Sequence, residues 1–230
     1  SDVYKRQGIL LGMFFAALLT WADFEAFLFD ARRDTGAVGL ENLRCPVLLN
    51  QHETGVVSAT FANPSESTRR RTVDAHISHG FVILMREERA RFDLEPGEKR
   101  TLEWTISPED AAWGRYILVR IHVQRNTPLP ARSGSCGVLV VDLPFGTGAQ
   151  ITAVAVSLSL LMMAAGAALW LHAMKAQGKA RRTVDYLALG LGPVTVLALI
   201  FSMTGLWLGS ALLLGLTILT IVTIVTWVLS

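Results

Sequence analysis

Residues 186–230 contain no Asp, Glu, Lys, Arg or His. A soluble surface of that length needs charged side chains to stay solvated, so a soluble fold for this segment is excluded. Cysteine is almost missing as well. Cys45 and Cys136 are the only two, which leaves no cysteine cluster for a metal site. A marked excess of either charge is also lacking. Residues 23–146 hold 15 of the 21 basic and 17 of the 19 acidic groups, a net −2, which is unlike a nucleic-acid-binding surface.

What the tail does contain is hydrocarbon. At about 1.5 Å per helical residue, about 20 apolar residues cross a bilayer core of about 30 Å. The sequence therefore predicts two transmembrane helices, 186–203 and 207–228, separated by Thr204-Gly205. A further span is expected at 151–173, where His172 is the only ionisable group. Residues 8–22 form a shorter apolar run, either a transmembrane anchor or a signal peptide with Thr20-Trp21-Ala22 at its cleavage position. The preceding SDVYKRQ (1–7) resembles a translated sequencing-adaptor remnant and is set aside from topology reasoning.

Orientation follows from the loop at 174–185. Lys175, Lys179, Arg181 and Arg182 crowd its first part without an acid, which predicts a cytoplasmic side. Residues 23–146 are then extracytoplasmic, the C-terminus is cytoplasmic, and the expected location is the plasma (inner) membrane, multi-pass. Trp21, Trp170, Trp207 and Trp227 fall at predicted span ends, where amphipathic rings prefer the interface. Gly8 and Gly12, followed by Ala16, and Gly205 and Gly209 have the small-xxx-small spacing of close helix packing. The spans lack the acids and bases of proton relays and ion pathways, which argues against a transporter. Gly190-Leu-Gly192-Pro193 either breaks the third span or kinks it. Thr217, Thr220, Thr223 and Thr226 drift around their helix, and their hydroxyls are expected to bond back to its carbonyls.

Residues 45–143 read as short strands. Val73, Ala75 and Ile77, then Leu102, Trp104 and Ile106, then Ile117, Val119, Ile121 and Val123 alternate with more polar neighbours, the period of a sheet with one buried face. Further strands are expected at 56–62, 81–86, 89–94 and 138–143, with turns at Asn63-Pro64-Ser65 and Pro96-Gly97. Ser107-Pro108-Glu109-Asp110 followed by Gly114 predicts a one-turn helix capped by Ser107. About seven antiparallel strands without long helices point to a β-sandwich. The fold class expected is therefore a membrane protein with α and β in separate parts: an extracytoplasmic immunoglobulin-like sandwich plus three or four transmembrane helices.

GVVSATFANPS (55–65), LEPGE (94–98) running into LEWT (102–105), and GRYILV (114–119) resemble the bacterial immunoglobulin-like modules of the CARDB/NEW3 type. The resemblance covers about 70 of the 230 residues and implies a sandwich that binds or spaces, with no catalytic residues. Independently, Cys45 and Cys136 form an even pair in an exported segment, which favours a disulfide between the ends of the sandwich, against two free thiols.

Other candidates are weaker. His76 and His79 invite a metal reading, but residues three apart on a strand face opposite ways, so one surface and one turn histidine is expected. His52 and His122 join no constellation. Arg69, Arg70 and Arg71 form a basic run suited to an anionic headgroup or acidic partner, or simply to a solvated edge. No catalytic, cofactor or metal site is predicted. The reading is a non-enzymatic accessory protein, embedded in a lipid bilayer, presenting its sandwich to a membrane-protein or glycan partner. The alternative is a subunit of a transporter or membrane enzyme complex whose active residues lie in another chain.

Overall fold

The structure, a computed structural model, describes residues 2–30, 37–40, 42–127, 130–177 and 183–229. The chain divides into two compact units, Trp21–Ala149 and a helical unit made of Ser1–Thr20 with Gln150–Ser230. Among the described residues there are four α-helices: α1 (Asp2–Leu28), α2 (Gly148–Gln177), α3 (Thr183–Met203) and α4 (Trp207–Leu229).

Three stretches, Gln7–Leu28 of α1, Gly148–Leu169 of α2 and Trp207–Thr226 of α4, are long and apolar enough to cross a membrane. The described part of α3 adds a shorter apolar stretch, Gly190–Met203. The boundaries differ from those expected. α1 starts within 1–7, outruns 8–22 and continues to Leu28, so residues 23–28 are helix where the extracytoplasmic domain was placed. Nothing in 23–28 is proline or glycine to stop it. α2 likewise runs to Gln177 and α3 starts at Thr183, shortening the 174–185 loop. Lys179, Arg181 and Arg182 lie outside the described residues, while the Lys175 backbone belongs to α2. Pro193 sits inside a continuous α3.

In the helical unit, the small residues explain the packing only in part. A Cβ on Gly8 would stand 2.7 Å from the Met163 nitrogen, and one on Gly12 would stand 2.7 Å from Ser159 Oγ and 2.9 Å from a Thr195 methyl. Both are close-approach points. Gly209 is another, with the Phe201 ring 2.6 Å from its virtual Cβ. Gly205 is not. Nothing lies within 4 Å of its virtual Cβ, and its φ of +75° marks it as the left-handed residue that turns the chain between α3 and α4. Hydroxyls in this unit are satisfied both between helices and within them. Ser159 donates to Gly8 O at 2.9 Å, and Thr20 meets Ser210 at 2.8 Å. Thr217, Thr220 and Thr223 each donate to the carbonyl four residues back, and Thr226 to the one three back.

The other unit is built from two sheets. One holds β1 (Val38–Gly39), β3 (Leu48–Asn50), β5 (Arg69–His79), β6 (Phe81–Leu94), β8 (Tyr116–Val123) and β9 (Arg132–Val141). Its order is β1-β9-β8-β5-β6, with β3 also beside β9. The other holds β2 (Leu43–Arg44), β4 (Gly55–Ala62) and β7 (Lys99–Ile106), in the order β2-β4-β7. All neighbours are antiparallel except β1 and β3, which run parallel to β9. The alternating rows meet in one core: Val57, Ala59, Phe61, Trp104 and Ile106 from one sheet, and Val73, Ala75, Ile77, Val119, Ile121 and Val138 from the other. Residues 81–86 and 89–94 were expected to be separate strands. They form the single long β6, whose polar REER stretch (86–89) pairs continuously with Ala75, His76, Ile77 and Asp74 of β5.

Cys45 and Cys136 are joined in a disulfide, with 6.5 Å between their Cα atoms. Cys136 lies in the middle of β9, which begins at Arg132 and not at the expected 138. The predicted one-turn helix is a 3-10 turn, Pro108–Asp110. The capping acceptor is the Asp110 carboxylate, which takes the Ser107 N–H at 2.9 Å.

Candidate functional site

The expected sheet had one buried face, yet its largest sheet buries polar groups on the other face. Along β5 the inward residues are Val73, Ala75 and Ile77, so Asp74, His76 and Ser78 point outward. All three are nevertheless buried, and so is Arg120, opposite His76 in the sheet register. Asp74 is covered by Arg89 and Gln124, and Ser78 is bonded to Asp110 O and the Leu118 N–H. Over His76 and Arg120 the cover is the end of α1 and the two residues after it. Ala26 and Phe29 pack against Leu118 and Ala112. Gly137 of β9 lets the helix backbone come close enough for its N–H to reach Asp23 Oδ1 at 2.9 Å. A Cβ there would stand 2.0 Å from Ala22 O.

Arg120 ends the helix chemically. Its Nη1 donates to Phe27 O at 2.7 Å and Phe29 O at 2.9 Å. The last carbonyls of a helix lack intrahelical partners and carry the negative end of its dipole, so a cation here meets both demands. Asp30 follows with φ 49°, the left-handed conformation that stops a helix and that Asp tolerates. Its carboxylate reaches His76 Nδ1 at 2.6 Å, and Glu87 lies 3.6 Å from the other ring nitrogen. His76 was expected on the surface. It is buried because a helix end from 46 residues earlier in the chain covers its face.

The helix that leaves this unit is capped in the complementary sense. Glu53 Oε1 accepts the N–H of Gly148, the first residue of α2, at 2.5 Å and that of Asn50 at 2.8 Å. Asn50 Nδ2 donates to Leu143 O and Gly146 O, fixing the segment before the helix. A carboxylate belongs at a helix N-terminus for the reason a guanidinium belongs at a C-terminus.

Asp74 anchors the neighbouring network. Arg89 Nε donates to it at 2.5 Å and Gln124 Nε2 at 2.9 Å. Burial pushes the Asp74 carboxyl up, but these hydrogen bonds, with the charges of Arg89 and His76, outweigh it and hold the carboxyl below the usual carboxylate range. A depressed folded value means that the carboxylate stabilises the fold above the unfolded value, about 3.9, and that this contribution is lost as pH falls through the lower folded value. Asp74→Asn is therefore expected to cost about 2 kcal/mol at neutral pH and to flatten the acid limb of the stability profile below about pH 4. Thermal midpoints across pH 2–7 check this.

The remaining sequence candidates scatter. His79 is exposed at the β5–β6 turn, 3.8 Å from Asp110. Among the described residues no group of three or more His, Cys, Asp or Glu is arranged to hold a metal. The basic run is split by strand alternation: Arg70 points outward to Asp93 at 3.0 Å, while Arg71 is buried. Phe81, Leu84, Met85 and Trp113 form an exposed apolar tip, where the Trp113 N–H donates to Gly80 O at 2.9 Å. In the helical unit, an apolar groove of about 580 Å³ runs beside Ile9, Met163, Ala164 and Pro193. Sequence reasoning missed Arg120, Asp74, Asp30 and Glu53. The available signal was a run of charged and polar residues at outward positions of the most apolar strands.

No protein-family model matches the chain, and no curated protein matches it. Solved structures are similar only weakly and in part. A CARDB domain from Pyrococcus furiosus, determined with di-metal ions, aligns over 44% of this chain and 90% of its own, at 13% identity and a TM-score of 0.34. A β-glucosidase from Listeria innocua aligns over 42% of this chain at 16% identity and a TM-score of 0.31, and the match spans 15% of that enzyme. A cycloisomaltooligosaccharide glucanotransferase from Paenibacillus sp. aligns over 46% of this chain and 14% of its own length, at 11% identity and a TM-score of 0.33.

Proposed function

We propose that this chain is a membrane-anchored accessory protein without catalytic activity of its own. Its immunoglobulin-like β unit stands on the extracytoplasmic face of the plasma membrane and is presented to a protein or glycan partner. The observation that carries the reading is the pair of opposite-sign caps. Arg120 closes the apolar helix that leads into the β unit, and Glu53 opens the apolar helix that leads out. A tethered module needs both attachments defined, and here both use charges of the β unit matched to helix dipoles.

Two features support the placement. The disulfide suits an oxidising compartment. The apolar tip around Trp113 adjoins Ala112, which packs on Ala26 and Phe29 at the end of the α1 span, and interfacial Trp is favoured at that depth. The basic segment with Lys175, Lys179, Arg181 and Arg182 then lies in the cytoplasm with the C-terminus, and Gly8, Gly12 and Gly209 serve helix association.

Purification in mild detergent tests the role. The expected result is a defined complex with a second membrane protein, or retention on an immobilised glycan that requires residues 37–146. A purified chain that by itself turns over or transports a substrate overturns the reading.

A further inference from the structure

The inward row of β5 does not end in apolar residues. Two positions before Val73 the row reaches Arg71, and two before that Arg69. Arg71 is 6% exposed, and its Nη1 is buried without a hydrogen-bond partner. The Arg69 Nε is buried and unpartnered as well. Sheet register brings a third guanidinium to the same end: Val73 pairs with Val123, and Val123 with Arg132. Directly opposite residues share a face, so Arg132 stands on the Arg71 side, exposed at the rim.

No carboxylate is paired with Arg71 or Arg132 among the described residues. By contrast, Arg70 meets one, and Arg86 and Arg89 meet two each. Burial, and then the positive charge of Arg132, push the Arg71 guanidinium down. A buried cation facing a like charge is expensive, and natural folds keep one only where a counter-charge arrives. The wall beside it is apolar, with Phe92 opposite Arg71 and the Phe61 ring tilted against Phe92 at a centroid separation of 5.9 Å. A guanidinium fork in such a place matches two oxygens of one anion.

We propose that Arg71 and Arg132, with Arg69 behind them, form a binding site for a dissolved oxyanion of the phosphate or sulfate class. The site goes beyond the anchoring role and is independent of it. A lipid headgroup is the poorer source. Val123, beside Arg132, lies five residues along β8 from Leu118, where Ala26 of α1 and Phe29 just after it pack, which is about 17 Å.

The test is the thermal midpoint of the full chain in phosphatidylcholine nanodiscs, titrated with inorganic phosphate against sodium chloride of equal ionic strength. Phosphate tenfold above its Kd is expected to raise the midpoint by about 4 °C, and chloride is not. Arg71→Met is expected to abolish the phosphate response while melting no lower than the unliganded parent, because it removes an unpaired buried charge. Arg132→Gln, at an exposed position that folding tolerates, is expected to weaken phosphate binding about tenfold. Equal shifts with phosphate and chloride, a phosphate response intact in either variant, or a response obtained only with phosphatidylglycerol in the nanodisc would overturn the proposal.

Discussion

Reducing the disulfide, or replacing both cysteines with alanine, is expected to destabilise the β unit by about 4 kcal/mol. The bond joins positions 91 residues apart, so it closes a loop containing most of the unit. In the chain-entropy treatment a loop of that length is worth about 4.6 kcal/mol, and native disulfides of small exported domains cost about 2–5 kcal/mol to remove. The location adds to this. Cys45 lies between β2, in the three-stranded sheet, and β3, in the six-stranded sheet, so the bond holds the segment that changes sheets. Cys136 packs among Val119, Val138 and Val140 in the core. Denaturant unfolding with and without reductant measures the difference. An unchanged midpoint would mean that the two sheets hold this crossing segment without the bond.

The second large effect is at Arg120. Arg120→Met is expected to cost about 3 kcal/mol and to fray the last turn of α1. Two short hydrogen bonds from one guanidinium to the Phe27 and Phe29 carbonyls are lost, each worth about 1.5–3 kcal/mol when the donor is charged. Part of the loss is returned, because the buried cation no longer needs desolvation. Burial does push the Arg120 guanidinium down, with the Asp30 charge pulling it back up. Arg120→Lys keeps the charge but not the fork, and is expected to recover about half the loss. Hydrogen exchange at residues 24–30 is the readout, with faster exchange in the Met variant than in the Lys variant. Exchange in the Met variant no faster than in the parent would show that the cap contributes nothing.

The inward rows of β5, β7 and β8 were legible because period-two alternation is a local property that the core then uses directly. The apolar helices were legible by length and composition. Gly205 was not, because small-xxx-small spacing is also produced by a turn glycine; only its backbone angle separates the two. The polar face was missed for a different reason. Outward His76 and Arg120 look solvated until the end of α1 covers them, and its contacts come from 46 to 94 residues earlier in sequence. Local pattern carries no information about such a cover. The continuous β6 was split in reading because charged residues interrupt its apolar run, yet an edge strand places charge there at little cost.

The central claim is that the β unit faces outward while the basic segment between α2 and α3 faces the cytoplasm. Single cysteines at Glu66, exposed in the turn after β4, and at Lys179 test it with a membrane-impermeant maleimide on intact cells. The account predicts labelling of Glu66→Cys in intact cells and of Lys179→Cys only after permeabilisation. Labelling of Lys179→Cys in intact cells, with Glu66→Cys protected until they are opened, would contradict it.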